Sequence, residues 1–361
     1  MLAEYEIREY QPGDESPILA LIQQGLGDGP SGTRDERFWR WKHLDNPFGS
    51  SIAFVATNGV GQIIGLRAFM RWRLKAGNTI IRAVRPVDTV THPEYRRYGV
   101  FSALTRKAVN RSKDSGVDLI FNTPNNAVLP GYLKLGWNYV SMVRPLVKVL
   151  NHPRFVAGII RSRNKRPSSE QLSPEQFFQH ELSSIAELLT PPETFEQLLH
   201  LHSQTKGGHL STDRSLDYLR WRYCEYPYVN YVALCQERNG MLSGCIILRP
   251  NMRFGLKEII LDEMFLSEND EGLAFSLLDE LKRCLKADYI IAYFPRRSFQ
   301  REVLCRHGFH QVPRGGQNFI VKPLASYLPC DPATLTSWDL SLGDLEIFCR
   351  LKSSIKADQT C

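Results

Sequence analysis

Along the first 150 residues the spacing of apolar and polar positions changes period several times, and each change marks an element. Glu4 to Glu9 alternates, as a short strand with one covered face does. Asp14 to Gln24 carries its apolar residues at helical spacing. Ile52 to Thr57 and Ile63 to Leu74 read as strands, with the turn pair Asn58-Gly59 between them. Ala76-Gly77-Asn78 turns the chain again, into a long extended segment from Thr79 to Thr91. Val100 to Ser115 then predicts a helix, Val117 to Asn122 a short buried strand, Asn126 to Lys134 a helix, and Trp137 to Leu150 a closing strand. The order β-α-α-β-β-β-α-β-α-β predicts an α/β fold on a mixed sheet.

The same plan runs twice. Phe38-Trp39-Arg40-Trp41-Lys42 and Pro47 match Tyr218-Leu219-Arg220-Trp221-Arg222 and Pro227 in register. Asn58-Gly59 has its counterpart in Asn239-Gly240, and Val87-Asp88 in Leu261-Asp262. Phe101-Ser102-Ala103-Leu104 matches Phe275-Ser276-Leu277-Leu278, and Leu135-Gly136-Trp137 matches His307-Gly308-Phe309. Five matches in one order predict a duplicated domain. A length of 361 residues suits two domains. The expected division is residues 1–150, a linker over 151–185, a second domain over 186–328 and a tail over 329–361. The linker is read from Pro153, the basic run Arg161 to Arg166, and Pro167-Ser168-Ser169-Glu170.

Composition narrows the function without naming it. Apolar residues make up 43% and charged residues 23%, the mix of a globular chain with enough material for two cores. The net charge of +7 suits an anionic ligand, but no basic stripe with interleaved aromatics points to nucleic acid. All eight cysteines stand at or after Cys224 without a C-x-x-C pair, so neither a zinc knuckle nor a disulfide framework is expected. No metal site is expected either. The first residues, Met1 to Glu6, lack the charge-then-apolar pattern of a signal peptide, and no apolar run is long enough to span a bilayer. The expected location is the cytoplasm, with no membrane partner.

One segment carries chemistry. Val87 to Leu104 reads V-D-T-V-T-H-P-E-Y-R-R-Y-G-V-F-S-A-L. A strand ends at His92-Pro93, a basic turn follows, and Gly99 opens a helix. A helix N-terminus presents unpaired N–H groups and partial positive charge, which suit a pyrophosphate. Gly99 admits a ligand close to the backbone, and Arg96 and Arg97 add charge-assisted donors.

Arg96-Arg97-Tyr98-Gly99-Val100-Phe101 resembles motif A of the GNAT N-acetyltransferase superfamily, written R/Q-x-x-G-x-G/A. It departs from the motif at Phe101, where the family has a small residue. Gly131-Tyr132-Leu133-Lys134-Leu135-Gly136-Trp137 resembles the family's Y-x-K-x-G-F segment. The resemblance implies two tandem GNAT-like domains, the first binding acyl-CoA and the second degenerate. It implies acetyl-CoA as acyl donor, held by Thr89, Val90, Arg96, Arg97, Tyr98, Gly99, Val100, Phe101 and Asn125 or Asn126. The implied reaction is acyl transfer from the thioester to a small-molecule primary amine. Tyr132 is the candidate acid for the departing thiolate, and Asp88 or His92 the candidate base.

In the second half the phosphate turn reads Ser267-Glu268-Asn269-Asp270-Glu271-Gly272-Leu273, with carboxylates where the arginines stand in the first. That turn repels a pyrophosphate, so no CoA is expected there. The Phe/Tyr-x-Arg-Trp-Lys/Arg segments are similar to those of GNAT-like proteins of surface-glycan assembly, which favours an amino-sugar acceptor. Two other functions stay open: an aminoacyl-tRNA-dependent transferase of the Fem type, and a CoA-binding scaffold without turnover. The acceptor, the acyl length and the oligomeric state are not legible in the sequence.

Overall fold

The alternating runs of the first half pair as hairpins. The computed structural model describes residues 4–26, 34–161 and 174–345. In the first half the strands are β1 (Tyr5–Glu9), β2 (Ile52–Asn58), β3 (Ile63–Ala76), β4 (Thr79–Thr91), β5 (Leu119–Asn122) and β6 (Asn138–Val143). Between them run the helices α1 (Glu15–Leu26), α2 (Glu36–His43), α3 (Val100–Asp114) and α4 (Leu129–Lys134). Next come β7 (Leu146–Val149), α5 (His152–Arg161), β8 (Ser183–Ser184), α6 (Ile185–Leu188), α7 (Pro192–Gln204), β9 (Leu210–Thr212) and α8 (Leu216–Leu219). The remaining elements are β10 (Val232–Arg238), β11 (Met241–Arg253), β12 (Leu256–Leu266), α9 (Glu271–Cys284), β13 (Tyr289–Ala292), α10 (Phe299–Arg306), β14 (His310–Gln311) and β15 (Gln317–Pro323).

The chain forms two units, each built from three stretches. The first holds Met1–Met142, Leu210–Asp213 and Gln317–Ser337; the second holds Val143–His209, Arg214–Gly316 and Trp338–Cys361. The first sheet runs β1-β2-β3-β4-β5-β15-β6, with β9 added beside β3. The second runs β14-β7-β13-β12-β11-β10-β8. The strands pair in parallel at β4 with β5 in the first sheet and at β12 with β13 in the second, while the hairpin neighbours β1 to β4 and β10 to β12 are antiparallel. The duplicated plan of the sequence is thus a duplicated mixed sheet.

The two halves trade one strand each. β15, from late in the chain, lies between β5 and β6, while β7 lies between β13 and β14. The sequence predicts one closing strand from Trp137 to Leu150. The structure cuts it at Arg144-Pro145 into β6 and β7, which go to different sheets. Proline has no N–H to give a ladder, so the cut falls where a ladder would break anyway. A division by chain position, at residues 150, 185 and 328, therefore differs from the division in space. Val143 to Leu150 joins the second unit, and Gln317 to Ser337 the first. The start of the expected linker is helical, as α5. The basic run beyond Arg161 and the tail beyond Leu345 lie outside the described residues.

In both units a glycine lets a helix sit tight on the sheet. A Cβ on Gly65 of β3 would lie 2.8 Å from Val100 Cγ1 and 3.0 Å from Leu104 Cδ1, both on α3. A Cβ on Gly244 of β11 would lie 2.6 Å from Leu277 Cδ1 and 3.4 Å from Leu273 Cδ1, both on α9. In the first unit this contact fixes where the start of α3 stands against β4. Ile64, Val84, Ile120, Val100 and Leu104 complete the core beneath it.

Candidate active site

The first unit's site is built where β4 leaves β5. Among the described residues the two strands pair only at Ala83↔Leu119 and Val84↔Ile120. From there to Thr91, β4 keeps its β3 partner but has no β5 partner, so one backbone edge is open to a ligand. In the second unit β12 stays paired with β13 up to Leu261↔Ala292, the residue just before Asp262. The parallel pairing thus runs up to the matched aspartate in the second unit, whereas in the first it ends earlier, at Val84.

β4 also bulges there. Leu66 pairs with Val90 and Ala68 with Val87, so Asp88 and Thr89 together face Arg67. Asp88 takes φ 44°, a left-handed conformation that costs energy for a residue with a side chain. Its carboxylate holds that place through Lys42 Nζ at 2.9 Å and His43 Nε2 at 3.1 Å. Burial pushes the Asp88 carboxyl up, but Lys42, His43 and Arg34 outweigh it and hold the group well below the usual carboxylate range. A carboxylate stabilised this way is a weak proton acceptor. The geometry gives Asp88 the work of pinning α2 to the bulge. Asp262, its counterpart, likewise marks a register shift in β12 and feels Arg222, the residue matched to Lys42.

The basic turn follows. His92 donates its backbone N–H to Ile64 O at 2.8 Å, and Pro93–Tyr95 forms one turn of 3-10 helix. The ring of His92 packs edge-on to Tyr95, with centroids 5.9 Å apart. Arg97 and Gly99 take φ 71° and 82°. This left-handed pair swings the chain into α3, whose N-cap Gly99 offers no side chain to the first amides. The first ladder bond of α3 runs from Ala103 N–H to Gly99 O, so the amides before Ala103 stand outside the ladder. Arg96, Arg97, Tyr98 and Gly99 are exposed. Among the described residues neither arginine has a carboxylate partner. Val100 is buried against Gly65, so only its backbone faces the turn.

The corresponding turn of the second unit is already filled. Asp270 caps α9 by accepting from Leu273 N–H at 2.6 Å, and Arg238 Nη1 pairs with Asp270 at 2.9 Å. Of the acidic residues that the sequence shows there, Asp270 caps the helix and Glu271 pairs with Arg306 of α10.

The remaining sequence candidates divide. Tyr132, on α4, is buried, and its hydroxyl accepts from Arg67 Nη2 at 2.8 Å and from Asn122 Nδ2 at 2.9 Å. Arg67 Nη1 donates to Thr89 Oγ1, so the Thr89 side chain is engaged and its backbone remains on the open edge. Val90 turns its side chain toward α1, into the cluster around Ile18 and Leu66. Asn125 shapes the turn that leads into α4, its Oδ1 accepting from Ala127 N–H at 3.0 Å and Val128 N–H at 3.2 Å. Asn126 accepts from Asn318 of β15 at 2.8 Å. Phe101, the departure from the motif, packs edge-on to Tyr132 with centroids 5.6 Å apart. Its space comes from Gly131, where a Cβ would lie 3.1 Å from the Phe101 ring. The large residue at 101 and the missing one at 131 compensate each other.

Arg67 and Asn122 were not singled out from the sequence. A signal for Arg67 was present: it is the one charge inside the apolar run Ile63 to Met70. Asn122 gave less, being a polar strand end before Thr123-Pro124.

Comparison with known proteins agrees with this geometry. The family profile described as an acetyltransferase (GNAT) domain matches residues 6–140. No curated protein matches the chain. Among solved structures, the chain is similar to a GCN5-related N-acetyltransferase from Anabaena variabilis at 12% identity and TM-score 0.62, over 89% of this chain and 73% of that one. It is similar to Eis1 from Mycobacterium abscessus at 14% identity and TM-score 0.55, over 89% and 74%. It is also similar to the N-myristoyltransferase of Saccharomyces cerevisiae with bound myristoyl-CoA, at 12% identity and TM-score 0.56, over 92% and 86%.

Proposed function

Because residues 6–140 match the profile of a GNAT acetyltransferase domain, in a chain whose two sheets follow one plan, we propose that this protein transfers an acetyl group from acetyl-CoA to a primary amine of a small molecule. The observation that carries this reading is the exposed turn Arg96 to Gly99. It joins two guanidinium groups with no carboxylate partner among the described residues to the start of a 15-residue helix without a side-chain cap, at the end of a strand with an open backbone edge. Pyrophosphate fits the turn through helix amides and arginines. An extended pantetheine arm fits the open edge of β4 at Thr89 and Val90, where amide hydrogen bonds are unmade. On this reading the thioester lies near Tyr132, the buried phenol of the site.

The chemistry asked of the protein is modest. A neutral amine attacks the thioester carbonyl, the C–S bond breaks, and the electron pair leaves on sulfur. Tyr132 delivers a proton to that sulfur, and the amine sheds one. Asp88 serves by holding the bulge, through Lys42 and His43. The second unit's turn, filled by Asp270, supports one acyl-CoA per chain. An amino sugar is the acceptor we favour, by the likeness of the Phe38-to-Lys42 segment to glycan-assembly proteins, in the cytoplasm.

Thermal unfolding with and without acetyl-CoA tests this, for the natural chain and Arg97→Glu. Ligand at about a hundred times its Kd adds roughly 2.7 kcal/mol to the folded state, a rise of about 5–10 °C. The natural chain should show that rise and Arg97→Glu should lose it. No rise with acetyl-CoA or a longer acyl-CoA sinks the proposal. Labelled amino acid passing from charged tRNA to a product would replace it with the tRNA-dependent reading.

A further inference from the structure

Arg67 is a buried cation that the fold alone does not call for. Its side chain is fully buried, its Nε has no hydrogen-bond partner, and no carboxylate pairs with it among the described residues. It lies instead among ring faces, its guanidinium carbon 5.1 Å from the Phe69 centroid, 5.1 Å from Phe101 and 5.0 Å from Tyr132. Burying a charge without a counter-charge is costly, so such a group points to an anion that exists only at some moment of the cycle. The one atom it touches that can become an anion is Tyr132 Oη, 2.8 Å from Nη2.

The second unit supplies the internal comparison. Its bulge at Asp262 forms with Ile247 and Leu248 on the facing strand, so a bulge needs no arginine there. The last residue of the strand corresponding to β5 is Ala292 where the first unit has Asn122. The residue matched to Tyr132, counted back from the shared glycine, is Leu304. Arg67, Asn122 and Tyr132 disappear together, as members of one device would.

We propose that Arg67 is a positioning residue that, with Asn122, aims the Tyr132 proton and holds the phenolate left after it is given up. This rests on the acyltransfer reading above. Asn122 Oδ1 accepts from Thr123 N–H at 2.8 Å, which turns its Nδ2 toward the phenol. Two donors then occupy both acceptor positions of Tyr132 Oη, so its own hydrogen is directed elsewhere. No described residue accepts that hydrogen. When the C–S bond breaks, the electron pair goes to sulfur and the Tyr132 proton follows it, giving the free thiol. The phenolate sits between a guanidinium and an amide N–H until the proton shed by the amine restores it. Charge-assisted donors fixed beforehand stabilise such an anion at little reorganisation cost.

The test compares two acyl donors on the full chain. Acetyl-CoA leaves as an alkyl thiolate that needs the proton; the acetyl thioester of 4-nitrothiophenol leaves as a stabilised thiolate that does not. With a panel of primary amines, Arg67→Met and Tyr132→Phe should each lower kcat for acetyl-CoA by about 10²–10⁴-fold with KM little changed. Both should leave kcat/KM for the aryl thioester within a few-fold of the natural chain. The double variant should be no slower than Tyr132→Phe, since the residues act as a unit. Equal losses on both donors, or additive losses, overturn the assignment. If Arg67→Met does not fold, Arg67→Lys takes its place: a smaller loss confined to acetyl-CoA supports the assignment, and an unchanged or donor-independent rate overturns it. A natural chain that releases no CoA with any amine overturns the acyltransfer reading, and this one with it. A natural chain that turns over beside an indifferent Arg67 variant overturns this one alone.

Discussion

A buried carboxylate shows at the scale of a single residue why the two halves diverged. Asp262 is fully buried, neither carboxylate oxygen has a hydrogen-bond partner among the described residues, and Arg249 Nε stands 3.7 Å away. Burial pushes its carboxyl up to about 6, against the pull of Arg249 and Arg222. Unfolded, the same group titrates near 3.9. The folded chain therefore keeps the proton longer as pH rises. Its stability is highest below about pH 4 and declines through about pH 6, by an amount on the order of 3 kcal/mol. Asp262→Asn should remove that decline: its thermal midpoint should exceed that of the natural chain at pH 8 and match it at about pH 3, below the unfolded pKa. A decline that persists in the variant would assign the titration to another group. Asp88 has the opposite sign, since Lys42 and His43 hold it ionised. The sequence showed that both aspartates recur, but the signs come from neighbours brought from far along the chain. The same limit applies to Arg67 and Tyr132, 65 residues apart, whose hydrogen bond no local pattern encodes. The basic turn was legible because all its parts are consecutive.

The glycine-seated helix sets the precision of the site at the scale of elements. α3 carries the phosphate turn at its start, and Gly65 decides how close it lies to β3. Gly65→Ala would place a methyl group 2.8 Å from Val100 Cγ1 and 3.3 Å from Ala56 Cβ, so the helix must lift. Overpacking of this kind costs about 1–3 kcal/mol. The expected outcome is a midpoint lower by several degrees and an acetyl-CoA Kd weakened several-fold, both read from one ligand titration of the unfolding curve. An unchanged Kd would mean that α3 yields without moving its first turn. Most elements were legible at this scale, because long strands and helices keep their period. Asn126 to Lys134 was read as one helix, but only Leu129–Lys134 is helical. Asn125 accepts through its side chain from Ala127 and Val128 N–H and through its carbonyl from Leu129 N–H, so residues 125–128 form a turn into the helix rather than its first turn. The break at Pro145 was also missed, since an apolar run on both sides of a proline reads as one strand.

At the scale of the whole molecule the traded strands were out of reach of the sequence reading. A period of two says that Gln317 to Pro323 is a strand, not which sheet receives it. In the structure β15 pairs with β5 at Ile320↔Asn122 and Val321↔Phe121, beside the strand that carries Asn122. The trade also has a consequence in time. Synthesis delivers β5 and β6 early, but the strand between them comes about 180 residues later. At roughly 5–20 residues per second the nascent first sheet waits on the order of 10–40 s with a gap in it. A chain stopped at Leu150 never receives that strand, and its open edges invite pairing with other copies. Such a fragment should sediment as aggregate, and a chain extended through Pro323 should not. The organism that makes this protein must therefore keep a half-finished sheet apart from its neighbours until the ribosome has passed Pro323.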